Sequence, residues 1–189
     1  MPEYPIPRPV SGDVVDLILE DHRTLEALMR EMRDSTSDRA AVREAFADLL
    51  VAHGEAEEAK VYPRLEKKAD DVDEEEVRHG EQEHAEINEA LLALLECAGT
   101  DTQKFDDAVE KMSEILQHHM TEEELTILNP AREEVSEDER ASLGSAFLQA
   151  RSEQLDSRPG TADNVRRLVQ EAHEEGLLPA EDEEGSSGS

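Results

Sequence analysis

Apolar residues recur at three- and four-residue intervals along most of the chain, the period of helices that bury one face. A first helix is expected from a Ser11 cap to about Arg33, with Val15, Ile18, His22, Leu25, Met29 and Met32 on its inner face. "DSTSD" breaks it. A second runs from about Asp38 to Lys68, with the stripe Val42, Phe46, Leu49, His53, Glu57 and Val61 and a kink expected at Pro63. The third covers about 74–98 and aligns Val77, His84, Ile87, Leu91 and Leu94. A fourth, about 102–128, aligns Phe105, Ala108, Met112, Leu116, His119, Glu123 and Ile127, with Pro130 at its end.

No segment has the two-residue period of a half-buried strand, so the expected fold is all-α. Four such stripes joined by short connections are best buried in an up-down-up-down four-helix bundle. The bundle is assigned to residues 12–135, preceded by an extended, proline-rich arm over 1–11. A C-terminal helical extension is expected over 136–177, opened by the capping-box pattern Ser136-x-x-Glu139, with residues 136–155 packed outside the bundle. Residues 178–189 read as a disordered acidic tail.

Composition narrows the function. The formal net charge is −30, which argues against nucleic acid and anionic membranes as partners, because both need a cationic surface. No run approaches the roughly 18 apolar residues of a membrane span, and the N-terminus lacks a signal-peptide apolar stretch, so a cytoplasmic location is expected. A single cysteine, Cys97, excludes an internal disulfide and reads as a small buried residue.

The stripes also carry polar residues in a repeated order. "LVAHGEAEEAKVYP" and "LQHHMTEEELTILNP" each contain His-x-x-x-Glu-Glu followed by proline, while "EDHRTLEAL" and "QEHAEINEAL" each place His after an acidic residue. The chain therefore reads as two matched halves, His22 with His53-x-x-x-Glu57 and His84 with His119-x-x-x-Glu123. Residues four apart share a helix face, so all six point inward. An uncompensated buried carboxylate costs on the order of several kcal/mol. Two carboxylates beside four imidazoles fit a pair of first-row metal ions. Buried His–Glu pairs without metal are the competing interpretation. Glu58 and Glu124 lie about 100° around the helix, as surface residues or partners of the ligands.

In these motifs, Asp21-His22, His53-x-x-x-Glu57-Glu58 with Tyr62-Pro63, Glu83-His84 and His119-x-x-x-Glu123-Glu124, the chain resembles hemerythrin-like proteins, the HHE cation-binding domain, over about residues 12–131. That resemblance implies a non-haem diiron cofactor, two iron ions with an oxo or hydroxo bridge. It also implies His22 and His53 on one iron, His84 and His119 on the other, and bridging Glu57 and Glu123. The implied partners are small molecules: O2, peroxide or NO.

Two departures matter. Oxygen-carrying members have a second histidine on the third helix, where this chain has Gly80, and an aspartate five residues after the last histidine, where this chain has Glu123 at four. Glu81 is either the replacement ligand or an exposed acid. His79, His118 and His173 are expected off the site, and Tyr62 is expected in packing, with a tyrosine near such a centre able to affect its redox chemistry. A centre short of one ligand suggests reaction with peroxide or O2 in a catalase-like or oxidative-stress role. A sensor or carrier of O2, NO or iron without turnover, and iron storage or buffering, are the alternatives.

Overall fold

The computed structural model describes residues 4–179. Among these residues every regular element is helical, and the architecture is an up-down-up-down four-helix bundle with a C-terminal helical extension. The first bundle helix is α1 (Val14–Arg33), capped by Asp13, whose side chain accepts from the Val15 amide. Ser11, the expected cap, lies before it; Asp13 wins because its carboxylate reaches the second free amide of the helix. The second begins as α2 (Arg39–Ala56), passes through a π turn (Glu57–Val61) and ends in α3 (Tyr62–Leu65). The third is α4 (Glu74–Leu95). The fourth is α5 (Gln103–Glu123), a second π turn (Glu124–Leu128) and α6 (Asn129–Glu134).

The two π turns are the structural counterpart of the sequence repeat. Pro63 and Pro130 lack an amide hydrogen, and in an α-helix their rings would strike the carbonyl four residues back. One extra residue per turn relieves this. The Tyr62 amide bonds to the Glu57 carbonyl and the Asn129 amide to the Glu124 carbonyl, both five residues back. The fourth helix therefore continues past Pro130, where the sequence suggests an end.

Of the apolar stripe positions, all are buried except Ala108, which is partly buried. The core divides into two clusters. One includes Leu25, Met29, Phe46, Leu91 and Phe105. The other includes Ile18, Val61, Tyr62, Ile127 and Phe147. Along α1 the first group begins at Leu25 and the second ends at Ile18, so His22 falls in the layer between them.

Helix α7 (Glu137–Ser157) packs against α1, α2 and the first π turn, and α8 (Ala162–Glu174) packs against α4. Gly144 lets α7 lie against the segment that leads into α1: a Cβ there would clash with the Gly12 carbonyl oxygen. The N-terminal segment is held to α7 as well, with Arg8 bonded to Asp156 at 2.7 Å. Ser136 and Thr161 cap the two extension helices. The expected acidic tail lies outside the described residues from 180 onward, as do residues 1–3 of the arm.

Candidate metal centre

His22 projects from α1, His53 from the last full turn of α2, His84 from the middle of α4 and His119 from the end of α5. Glu57 opens the first π turn one helical turn after His53, and Glu123 precedes the second π turn. All six are buried, with Glu57 0% exposed.

Their donor atoms form two overlapping groups. His22, His53, Glu57 and Glu123 each place one donor atom within 4.8 Å of the others, and so do Glu57, His84 and His119. Glu57 is common to both: its Oε1 lies 3.1 Å from His53 Nε2 and its Oε2 lies 3.3 Å from His84 Nε2. Glu123 Oε2 is 3.2 Å from His22 Nε2 and 3.9 Å from His119 Nε2. The two Nε2 atoms of His84 and His119 face each other at 3.1 Å. Metal–imidazole bonds of about 2.1 Å set at right angles would separate two ligand nitrogens by about 3.0 Å.

Hydrogen bonding supports the fit. Buried polar groups are normally satisfied. Here both nitrogens of His22, His53 Nε2, both oxygens of Glu57 and Glu123 Oε2 are buried without a hydrogen-bond partner. Of these atoms, His22 Nε2 faces Glu123 Oε2 and His53 Nε2 faces Glu57 Oε1. Neutral imidazoles and carboxylates are suitable donors for first-row divalent ions, so the residue set fits a metal pair.

Around them lies a set of orienting carboxylates. His53 Nδ1 donates to Asp21 Oδ2 at 3.2 Å, His84 Nδ1 to Glu58 Oε1 at 2.7 Å and His119 Nδ1 to Glu83 Oε2 at 2.9 Å. Each bond leaves Nε2 free to face the cluster, the arrangement typical of metal-ligating histidines. Glu58 is thus a partner of a cluster histidine, while Glu124 is exposed.

Charge compensation shows in the protonation preferences of the metal-free chain. Burial pushes His53 down, but the Glu57 charge and the Asp21 hydrogen bond outweigh it and raise the group to about 10. Against the same burial penalty, His84 is raised well above the ordinary histidine value by Glu57 and Glu58. Burial raises Glu57, but His53 and then His84 more than offset it and hold the carboxyl well below its usual range. Imidazolium–carboxylate attraction therefore compensates the buried charges when protons take the place of cations.

Tyr62 lies against Gly80. Its fully buried hydroxyl donates to Glu123 Oε1 at 2.9 Å and lies 3.5 Å from His84 Nε2. Burial, then the Glu123 and Glu57 charges, hold that hydroxyl protonated. A Cβ on Gly80 would sit 3.1 Å from Tyr62 Cε2. Tyr62 is both packed and hydrogen-bonded to the cluster; "Tyr-Pro" in the sequence pattern was the available signal.

Glu81, the candidate replacement ligand, belongs to neither donor group. Burial, then the Glu58 charge, raise its carboxyl. His79 and His118 are exposed beside Glu83, at 3.7 and 3.5 Å from its Oε1. His173 bonds the Pro179 carbonyl on the extension. A cavity of about 20 Å³ meets all four cluster histidines, with Leu25 and Leu116 among its apolar walls. That volume suits one or two small heavy atoms, since a water needs about 10–15 Å³ on this measure.

The sequence profile of the Hemerythrin HHE cation binding domain matches residues 13–131. The chain belongs to the hemerythrin HHE cation-binding domain family. Among its relatives is a hemerythrin-like protein of Schizosaccharomyces pombe, 27% identical over 136 residues, which cover 71% of this chain and 66% of that protein. Another is a protein of a Nostoc species named a DNA nickase, 27% identical over 143 residues, which cover 74% of this chain and 39% of that protein. The chain thus spans less than two thirds of either relative. No solved structure gives a significant match. The family match and the buried His/Glu cluster between the four helices both point to metal binding, and the family implies a small ligand. No helix among the described residues is long and apolar enough to cross a membrane.

Proposed function

We propose that the centre is a non-haem diiron site and that the protein reacts with peroxide or O2, with peroxide decomposition as its activity. The observation that carries the reading is the set of unpaired, buried, mutually facing donor atoms on His22, His53, Glu57 and Glu123. His22 and His53 would hold one iron and His84 and His119 the other, with Glu57 and Glu123 supplying carboxylate oxygens to the pair. Glu57 is the shared donor of the set, since one of its oxygens faces His53 and the other His84.

When bound, an iron pair supplies Lewis acidity and two-electron redox capacity to a small oxygen ligand. The protein's part is binding, orientation and exclusion. The narrow cavity admits ligands the size of water, O2 or peroxide. Tyr62 Oη keeps its proton and fixes one oxygen of Glu123, leaving the other turned to His22. Three carboxylates hold three of the histidines in the Nδ1-protonated form. Peroxide disproportionation, two H2O2 giving two H2O and one O2, balances without an external electron donor.

Iron content and peroxide consumption of purified iron-loaded protein test the reading. Turnover lost on His84→Ala is the expected result. A stable, reversible oxygen complex without turnover would instead favour a carrier or sensor, and iron uptake beyond the pair would favour storage. DNA nicking is named only for the Nostoc protein. With 49 acidic against 19 basic residues, the chain offers little to neutralise phosphates.

A further inference from the structure

Arg151 is the largest fully buried side chain, 2% exposed, and it lies beyond residues 13–131 matched by the family profile. A guanidinium placed there without a partner would be costly. Its Nε donates to Asp21 Oδ2 and one terminal nitrogen to Asp21 Oδ1, both at 2.7 Å. That terminal nitrogen also reaches the Pro7 carbonyl at 3.0 Å. Asp21 Oδ2 is the oxygen that accepts from His53 Nδ1. One turn earlier on α7, Phe147 meets the His53 ring edge-on, with centroids 5.9 Å apart.

We propose that Arg151 is a positioning residue for the His22/His53 metal position, acting through Asp21, so that the C-terminal extension is part of the centre. This inference rests on the dimetal reading. The two-pronged guanidinium fixes the plane of the Asp21 carboxylate as a single point charge does not. With that plane fixed, Oδ2 holds His53 in the tautomer that presents Nε2 to the cluster. Arg151 also offsets the Asp21 charge, which otherwise strengthens the basicity of the histidine it supports. The other half is built differently. Among the described residues, Glu58 and Glu83, which orient His84 and His119, hydrogen-bond no arginine. The two metal positions are therefore inequivalent, and the one on the α1–α2 side depends on the extension.

Cobalt(II) titration of the metal-free full chain, followed by visible absorption, tests this. Wild type should bind two ions. Arg151→Met should keep one at wild-type affinity and weaken the other at least about tenfold, the lower end for losing an orienting partner. Arg151→Lys, which keeps the charge without the fork, should fall between them. Asp21→Asn combined with Arg151→Met should recover part of the folding stability lost in Arg151→Met, because the buried Asp21 charge left without its arginine is removed. If Arg151→Met does not fold, Arg151→Lys carries the test. Equal affinities in wild type and Arg151→Lys, or equal weakening at both positions, overturn the inference. A wild-type chain that binds fewer than two ions overturns the dimetal reading beneath it.

Discussion

Gly80 and Tyr62 are complementary: the glycine leaves the space that the tyrosine ring fills, and a Cβ at 80 would come within 3.1 Å of Tyr62 Cε2. The space beside position 80 is therefore filled by a phenol that bonds Glu123. Gly80→His alone should be destabilising, by roughly 1–3 kcal/mol of overpacking. Combined with Tyr62→Ala, the cost should fall below the sum of the single changes, since contacting residues couple. Thermal unfolding of the four metal-free proteins measures this; strict additivity would mean that the two side chains do not compete for the space.

Tyr62→Phe removes the hydrogen bond to Glu123 and leaves a buried oxygen unpaired. A loss of about 1–3 kcal/mol in the metal-free protein is expected. Because Glu123 Oε1 is also freed, the iron spectrum should change. An unchanged spectrum would place Glu123 outside the metal centre.

Removal of Glu57 should abolish binding of the pair, because both donor groups share it. Glu58→Ala should retain two metals with affinity lowered about 10–100-fold, the usual effect of losing a partner of a ligating histidine. Isothermal titration of both variants separates the two outcomes. Equal losses would contradict the bridging role of Glu57.

Much of this was legible in the sequence. Spacing alone put His22, His53, Glu57, His84, His119 and Glu123 on inward stripes, and all six are buried together. The orienting residues were less visible. Glu83 and Asp21 could be noticed only as acids preceding histidines, and Glu58 could be placed only as surface or partner. Arg151 gave no signal, because its meaning depends on α7 crossing α1 and α2, a contact 130 residues from Asp21 in sequence. The π turns escaped for a similar reason. Proline announces a disturbance, but whether the chain stops, kinks or adds a residue depends on what the next turn must bury. At Pro63 and Pro130, Tyr62 and Ile127 are both held in the core.

The pH dependence of the metal-free fold follows from its buried histidines. Raised folded-state values for His53, about 10, and for His84 mean that their stabilising contribution is full below the ordinary value of 6.5 and lost as pH climbs toward 10. The depressed Glu57 carboxyl contributes above its ordinary 4.5 and loses that contribution on acidification. Metal binding displaces the protons from histidine, so it should strengthen with pH and release protons. The melting temperature of the metal-free protein should therefore fall between pH 7 and 9, and the gain on metal loading should widen. A gain that narrows with pH would contradict competition between protons and metal.

Gly144→Ala probes the docking of the extension. The added methyl would clash with the Gly12 carbonyl, so α7 or the segment leading into α1 must shift. A loss of roughly 1–3 kcal/mol is expected. Differential scanning calorimetry should show a lowered transition; an unchanged one would mean that the contact is not part of the folded state.

The most direct measurement is the number and placement of metal ions in protein purified from iron-replete cells, by elemental analysis together with iron-edge anomalous diffraction. Two irons per chain, about 3–4 Å apart and joined through Glu57, are the expected result, in line with other dinuclear sites. One iron, none, or a pair bound away from His22, His53, His84 and His119 would contradict the account.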